Sequence, residues 1–357
     1  MEEQIIWKPP CLTEIQSQFE TINKKATLYE IERCRATIPF LPENRGKNRY
    51  ESLFSYDDFR VVLNKTDSLG DYINAAWVSG YYASGEQDPH RFICTQGPLE
   101  NTIDDFWRMV FETRSHLIFM LSREVEGVTK KVATYWPYPP SGPLPLPGET
   151  EQQTLLREKA ASTNWSSFHP TSVTVVPLRE KLVSDGQIVL REFSVSAAYG
   201  SEESNLELDP INVVQVHFYA WPDGGVPDSP EPLLELLNIC QAEETEPRSS
   251  FNLTQEQLTS FDILPVPVCS GKGQINNGPV VVHCSAGVGR TGVFVAVHRM
   301  FREIDIWKKE GKRIADYPFD FERIVSDMRM CRKKMVGDIS QYEFCFETVS
   351  FALSKMK

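Results

Sequence analysis

The passage from Gly278 to Met300, GPVVVHCSAGVGRTGVFVAVHRM, constrains this chain more than any other. A β-branched run (Val280 to Val282), a loop carrying Gly287 and Gly289, and an apolar run from Val293 predict a strand, a tight turn and a helix in that order. In such a turn the backbone N–H groups of Ser285, Ala286, Gly287, Val288, Gly289 and Arg290 can converge into an anion-binding nest, and the helix N-terminus adds partial positive charge. Glycine suits a loop drawn tightly around an anion, and the Arg290 guanidinium can close it with a bidentate grip. Cys284 stands at the mouth of this loop, where the N–H dipoles, Arg290 and the neighbouring His283 would favour a nucleophilic thiolate. A lone cysteine is ordinarily a small inert core residue, and it is the arginine six residues on that turns the reading toward chemistry.

Two other readings of the same letters fail. Gly287 to Gly292 fits GxGxxG, but a dinucleotide site needs a second strand ending in an acid about 20 residues on. Here residues 293–310 continue as one helical pattern into Gly311. A Walker A loop needs lysine where Arg290 stands.

Composition bounds what such a phosphate cradle serves. The net charge of -12 argues against nucleic acid or an anionic membrane surface as partner, so positive charge must be local. The eight cysteines are scattered singly, without the short paired spacings of tetrahedral sites, so no metal is expected. MEEQIIWKPP has no secretory pattern and no later run is long enough to span a bilayer, which points to a reducing cytoplasmic setting.

Strand and helix patterns alternate along the chain. Ile103, Phe106, Trp107, Val110 and Phe111 recur at helical spacing, with Thr102 and Asp105 placed as a capping box, and LIFML (117–121) reads as a buried strand. SVTVVPL, QIVLREFSV and VVQVHFYA predict sheet strands, with a turn at Ser184-Asp185-Gly186. Further helices are predicted after Pro230, over 291–310 and 319–334, and through Tyr342 to Leu353. Residues 138–165, which include a PxxP at Pro140 and Pro143, and residues 242–278 break the pattern and read as surface insertions.

HCSAGVGRTG resembles the signature loop of the tyrosine-specific protein tyrosine phosphatases. KNRY (47–50), DYINAA (71–76), TQGPL (95–99), YWP (135–137) and Trp221-Pro222-Asp223 are similar to other segments of that family, in the family's order. The resemblance implies one α/β domain over residues 1–357, with a highly twisted mixed β-sheet flanked by helices and a helical N-terminal segment over about 1–40. It implies hydrolysis of phosphotyrosine in proteins through a phosphocysteine on Cys284, with no cofactor and no metal. By that resemblance Arg290 holds the phosphoryl oxygens, Asp223 is the general acid, Tyr50 flanks the substrate ring, and Glu126 and Lys131 orient the arginine and contact the acid loop carrying Trp221. Thr291 eases departure of the thiolate, and phosphotyrosine-bearing signalling proteins are the implied partners.

The sequence departs from the pattern at three positions. Relatives carry a water-positioning glutamine where Gly337 stands, which leaves that role to Gln341 or Asp338. Ser52 replaces an acidic or amide residue that holds substrate backbone, and Gly224 replaces an aromatic or histidine. With Gly337 in place, a phosphotyrosine-capturing module that turns over slowly is the rival reading; a dual-specificity or lipid phosphatase would share the loop but leave KNRY without a reason.

Overall fold

The computed structural model describes residues 7–65, 70–79, 92–140, 142–147, 149–152, 154–155, 157, 159, 172–197, 209–222, 224–246, 249–259 and 278–355. Ten strands are found among them: β1 (Arg60–Val62), β2 (Tyr72–Val78), β3 (Phe92–Thr95), β4 (Leu117–Met120), β5 (Val125–Glu126), β6 (Thr129–Lys130), β7 (Val173–Val183), β8 (Ile188–Ala197), β9 (Ile211–Phe218) and β10 (Val280–His283). Eight form one sheet in the order β1-β2-β3-β10-β4-β9-β8-β7, and β5 and β6 form a separate hairpin. The central strands β3, β10, β4 and β9 are mutually parallel, while the outer pairings on both sides are antiparallel. This is the mixed sheet that the resemblance implies.

β10 lies between β3 and β4, with Val280 opposite both Phe92 and Leu117. All four of its residues are buried, as an apolar run in a sheet covered on both faces requires. Side chains alternate between two cores. Val280, Val282, Leu117 and Phe119 enter one apolar cluster, whereas Val281, Ile118 and Met120 enter the other.

Six helices of ten or more residues are seen among the described residues: α1 (Leu12–Glu32), α2 (Ile103–Glu112), α3 (Glu231–Thr245), α4 (Gly289–Lys309), α5 (Phe321–Cys331) and α6 (Ile339–Lys355). α4 fills the centre of the first cluster beside α3, α5 and α6, and α1 lies outside them, contributing Ile15 and Ile22. On the opposite face α2 buries Phe106, Trp107, Val110 and Phe111, and the Trp107 indole N–H donates to the Tyr135 carbonyl at 2.6 Å. Each such fully buried side chain contributes roughly 1.5–3 kcal/mol.

Two local expectations are corrected. Thr102 does not cap α2: its hydroxyl accepts from the Leu99 N–H at 2.9 Å, and Asp105 instead pairs with Lys47 and Arg108. The helix after Pro230 runs to Thr245, past the expected boundary at 242, and Phe251 and Leu258 beyond it are buried in the main core. That part of the stretch read as an insertion is core; residues 260–277 lie outside the described residues.

Candidate active site

β10 delivers the chain to Cys284, and the next four carbonyls are all taken by donors outside the loop. Ser285 O accepts from Gly97 N (2.8 Å), Ala286 O and Gly287 O accept from the Arg332 guanidinium (3.0 and 2.9 Å), and Val288 O accepts from Gly292 N and Val336 N (3.0 Å each). A trans peptide points its N–H opposite to its C=O. Bonds that pull these carbonyls outward therefore turn the N–H groups of Ala286, Gly287, Val288 and Gly289 inward. The crowding is close at Gly287, whose φ is +69°: a Cβ there would stand 1.9 Å from Thr95 O.

Cys284 is 4% exposed. Burial alone would push its thiol pKa up, yet the thiol is held below its ordinary value. The opposing causes are the Arg290 charge, the Thr291 hydroxyl, and the backbone N–H groups of Thr291 and Gly287. The Thr291 hydroxyl has no oxygen or nitrogen partner among the described residues, which leaves the Cys284 sulfur as its interaction. Arg290 is fixed by a fork of two bonds to Glu126, 2.5 and 2.9 Å, and one to Leu121 O, while Lys131 lies 4.0 Å from the same carboxylate.

His283 acts otherwise than through charge. Burial pushes its pKa down to about 4, so it is neutral at neutral pH. Its Nδ1 lies 3.1 Å from Cys284 O and its Nε2 2.8 Å from the Tyr135 hydroxyl, which accepts from Gln215 Nε2 (2.7 Å). The consistent proton arrangement is Gln215 donating to Tyr135, Tyr135 to His283 Nε2, and His283 Nδ1–H to the Cys284 carbonyl. Buried Arg191 donates in turn to Gln215 Oε1 at 2.9 Å.

The pocket wall is tied to this loop by side chains from three sequence-distant motifs. Tyr50, 36% exposed, donates to Ser285 Oγ at 2.9 Å, and Ser285 Oγ–H donates to Lys131 O at 3.1 Å. Arg49 donates to Gly97 O and Pro98 O, and Gln96 joins the Arg49 N–H and Lys47 O. Tyr72 and Asn74 both donate to Asn48 Oδ1. KNRY, DYINAA and TQGPL thus form one bonded unit; Ser52 lies exposed beside it.

Trp221 is buried, and its indole N–H donates to Gly225 O at 3.0 Å. Asp223, between exposed Pro222 and Gly224, lies outside the described residues. Near the loop's other side, the Gln341 carboxamide rests against Gly289, where a Cβ would meet it at 2.9 Å, and its Oε1 accepts from Gly337 N at 2.9 Å. A Cβ at Gly337 would lie 3.4 Å from Gln341 Oε1 and 3.7 Å from Gly289 Cα. Asp338 is engaged elsewhere, its Oδ1 accepting from Gln341 N and Ser340 Oγ at the start of α6.

The structure thus gathers Cys284, the loop residues Ser285 to Arg290, Thr291, His283, Tyr50, Glu126, Lys131 and Gln341. Sequence reasoning missed Arg332, which sits in an RKK run that reads as solvated charge, and the Arg191–Gln215–Tyr135 chain, of which only Tyr135 lay in a noted motif.

The protein-tyrosine phosphatase family model matches residues 44–351. Human receptor-type tyrosine-protein phosphatase eta is 32% identical over 312 residues, 87% of this chain and 18% of that protein. Human tyrosine-protein phosphatase non-receptor type 20 is 31% identical over 316 residues, 88% of this chain and 56% of its own length. The chain therefore spans less than two thirds of these curated relatives. The solved catalytic domain of human protein tyrosine phosphatase non-receptor type 18 superposes with a TM-score of 0.66 at 26% identity, covering 96% of this chain and 97% of that one. With a matched region of that extent over the loop, the sheet and the pocket wall, the chain belongs to the protein-tyrosine phosphatase family.

Proposed function

We propose that this chain hydrolyses phosphotyrosine in proteins by two in-line displacements at phosphorus. The observation that carries the reading is the Cys284 thiol, held toward thiolate at the base of a loop whose N–H groups face inward and whose arginine is locked by Glu126.

In the first step a lone pair of the Cys284 thiolate forms the S–P bond as the P–O bond to the tyrosyl oxygen breaks. The inward N–H groups and Arg290 bind the equatorial oxygens, where charge is spread in the transition state. Asp223, assigned by resemblance, gives its proton to the departing phenolate. In the second step water attacks phosphorus, its proton passes to Asp223, and the S–P bond returns its electron pair to sulfur, stabilised by Thr291. Gln341 is the residue we assign to orient that water, because its carboxamide borders Gly289 while the Asp338 carboxylate is spent on the helix cap. No step calls on a metal or cofactor.

Tyr50 would flank the phenyl ring, and a ring-lined pocket deep enough that only a long aryl phosphate reaches Cys284 would reject the shorter phosphoserine. Phosphotyrosine-containing proteins are the proposed partners; a solved structure of non-receptor type 18 is in complex with HER2 phospho-peptides. No described helix is long and apolar enough to cross a membrane. We place the chain in the cytoplasm, where a reducing milieu keeps the Cys284 thiolate active.

Pre-steady-state assay with an aryl phosphate tests the reading. We expect turnover that Cys284→Ser abolishes and that Asp223→Ala slows by about 10²- to 10⁴-fold. A stoichiometric burst of phenol with no following turnover would favour the rival capture module that Gly337 raises. Comparable rates on phosphoserine would overturn the tyrosine selectivity.

A further inference from the structure

Behind the catalytic loop, beside the middle of α4, three side chains with metal-binding chemistry meet although the sequence scatters them. Cys240 and Glu244 lie one turn apart on α3, which brings them to the same face, and His298 faces them from α4. A sulfur, a carboxylate oxygen and a ring nitrogen from these residues all lie within 4.8 Å of one another, with His298 Nε2 3.8 Å from Glu244 Oε2.

We propose that Cys240, Glu244 and His298 bind Zn²⁺, with water in the fourth position. Zinc takes thiolate, imidazole and carboxylate at roughly 2.0–2.3 Å, so its tetrahedral ligands stand roughly 3.3–3.8 Å apart. The observed spread needs the group to close by about 1 Å, a side-chain adjustment. The donor set selects among cations: sulfur and nitrogen disfavour Mg²⁺ and Ca²⁺, which take oxygen shells.

The surroundings supply independent support. The His298 ring is set edge-on to Phe92 at 5.0 Å and beside Phe294, which limits its rotation. His116, just before β4, is close enough for the Glu244 charge to act on it, yet both its ring nitrogens are buried without a hydrogen-bond partner among the described residues. The residue is half-buried, but leaving both shielded nitrogens unpaired is costly, and in the proposed site a zinc-bound water within reach of the ring would give it a partner. On binding, the Cys240 S–H bond breaks, its electron pair forms the Zn–S bond and the proton leaves to solvent; neutral His298 gives its Nε2 lone pair. Thiolate and carboxylate together neutralise the dication, which reconciles the centre with the positive charge of Arg302 near Cys240.

The site would join α3, the helix that follows the Trp221 segment, to α4, the helix that begins with the catalytic loop. His298 lies eight residues beyond Arg290, about 12 Å along the helix, so the role is to fix these helices and not to act on substrate.

The test uses the full chain as Cys284→Ser, which removes the competing catalytic thiolate. Co²⁺ should give a thiolate-to-cobalt charge-transfer band, displaced by one equivalent of Zn²⁺, and Zn²⁺ should raise Tm. Cys240→Ser should abolish the band, His298→Gln and Glu244→Gln should each weaken Zn²⁺ binding more than tenfold, and His116→Phe should weaken it by about 10- to 100-fold. Circular dichroism and metal-free melts establish that each variant is folded; should Cys240→Ser fail this check, the His298 and Glu244 variants decide. Absence of the band, or Zn²⁺ affinity unchanged in the folded variants, overturns the proposal.

Discussion

At the scale of the residue, Arg332 shows how a side chain outside the pocket shapes it. One fully buried guanidinium holds Ala286 O, Gly287 O and Ser55 Oγ. Arg332→Met strands these acceptors at about 1–3 kcal/mol each and frees the inward N–H array. We expect kcat to fall by about 10²-fold with a smaller change in KM, and urea unfolding to show a loss of about 3 kcal/mol or more. Cys284 gives a pH prediction with a defined sign. Its folded pKa lies below the ordinary thiol value of 9.0, because Arg290, Thr291 and two N–H groups together outweigh burial. The thiolate therefore stabilises the fold fully above pH 9, and that contribution is lost as pH falls through the folded pKa. Iodoacetate alkylation should titrate below pH 9, and Thr291→Val should move the titration upward. The placing of Cys284 and Arg290 in one loop was legible from a short local motif, whereas Tyr50 came from the resemblance of KNRY, and the structure sets it against Ser285. Arg332 was not, since nothing in an RKK run separates a buried arginine from a solvated one, and the neutrality of His283 follows from burial that sequence does not state.

At the scale of the element, the loop between β10 and α4 is built by contact with β3. Gly287→Ala would drive a methyl group against Thr95 O, 1.9 Å from the ideal Cβ position, in a backbone conformation that side chains seldom adopt. We expect a loss of about 2–3 kcal/mol or more in thermal or urea melts, and loss of the burst with aryl phosphate. The β5–β6 hairpin has the complementary role: Glu126→Ala would release the fork on Arg290 and lower kcat by about 10²-fold with the fold retained, as circular dichroism would show. Elements with strong periodicity were legible, including β4, the three long strands β7, β8 and β9, and α4. Boundaries were less so. Thr102 had the letters of a cap but closes the preceding turn, and α3 passes its expected end with Glu243 continuing its buried face.

At the scale of the whole molecule, buried neutral imidazoles set the acid limit. Both His217 and His283 are buried and depressed, His283 to about 4, whereas the unfolded chain titrates near 6.5. Above pH 6.5 both states are neutral there; between 6.5 and 4 the unfolded state binds protons that the folded state refuses. His283 alone should cost about 3 kcal/mol over that interval, so urea midpoints should fall steadily from pH 7 to pH 5. The single mixed sheet was legible from the alternation of elements and the resemblance. Its strand order was not, because parallel neighbours such as β3, β10 and β4 are joined only through long connections. That order has a consequence for synthesis. β3 and β4 emerge from the ribosome early, but the strand that lies between them is made near residue 280. Until then the nascent chain has two apolar edges with an empty slot between them, which favours chaperone capture and aggregation. Chains truncated before Val280 should be insoluble or protease-sensitive: the last-made of the described strands is the keystone, and Cys284, the nucleophile we propose, is delivered by the event that closes the sheet.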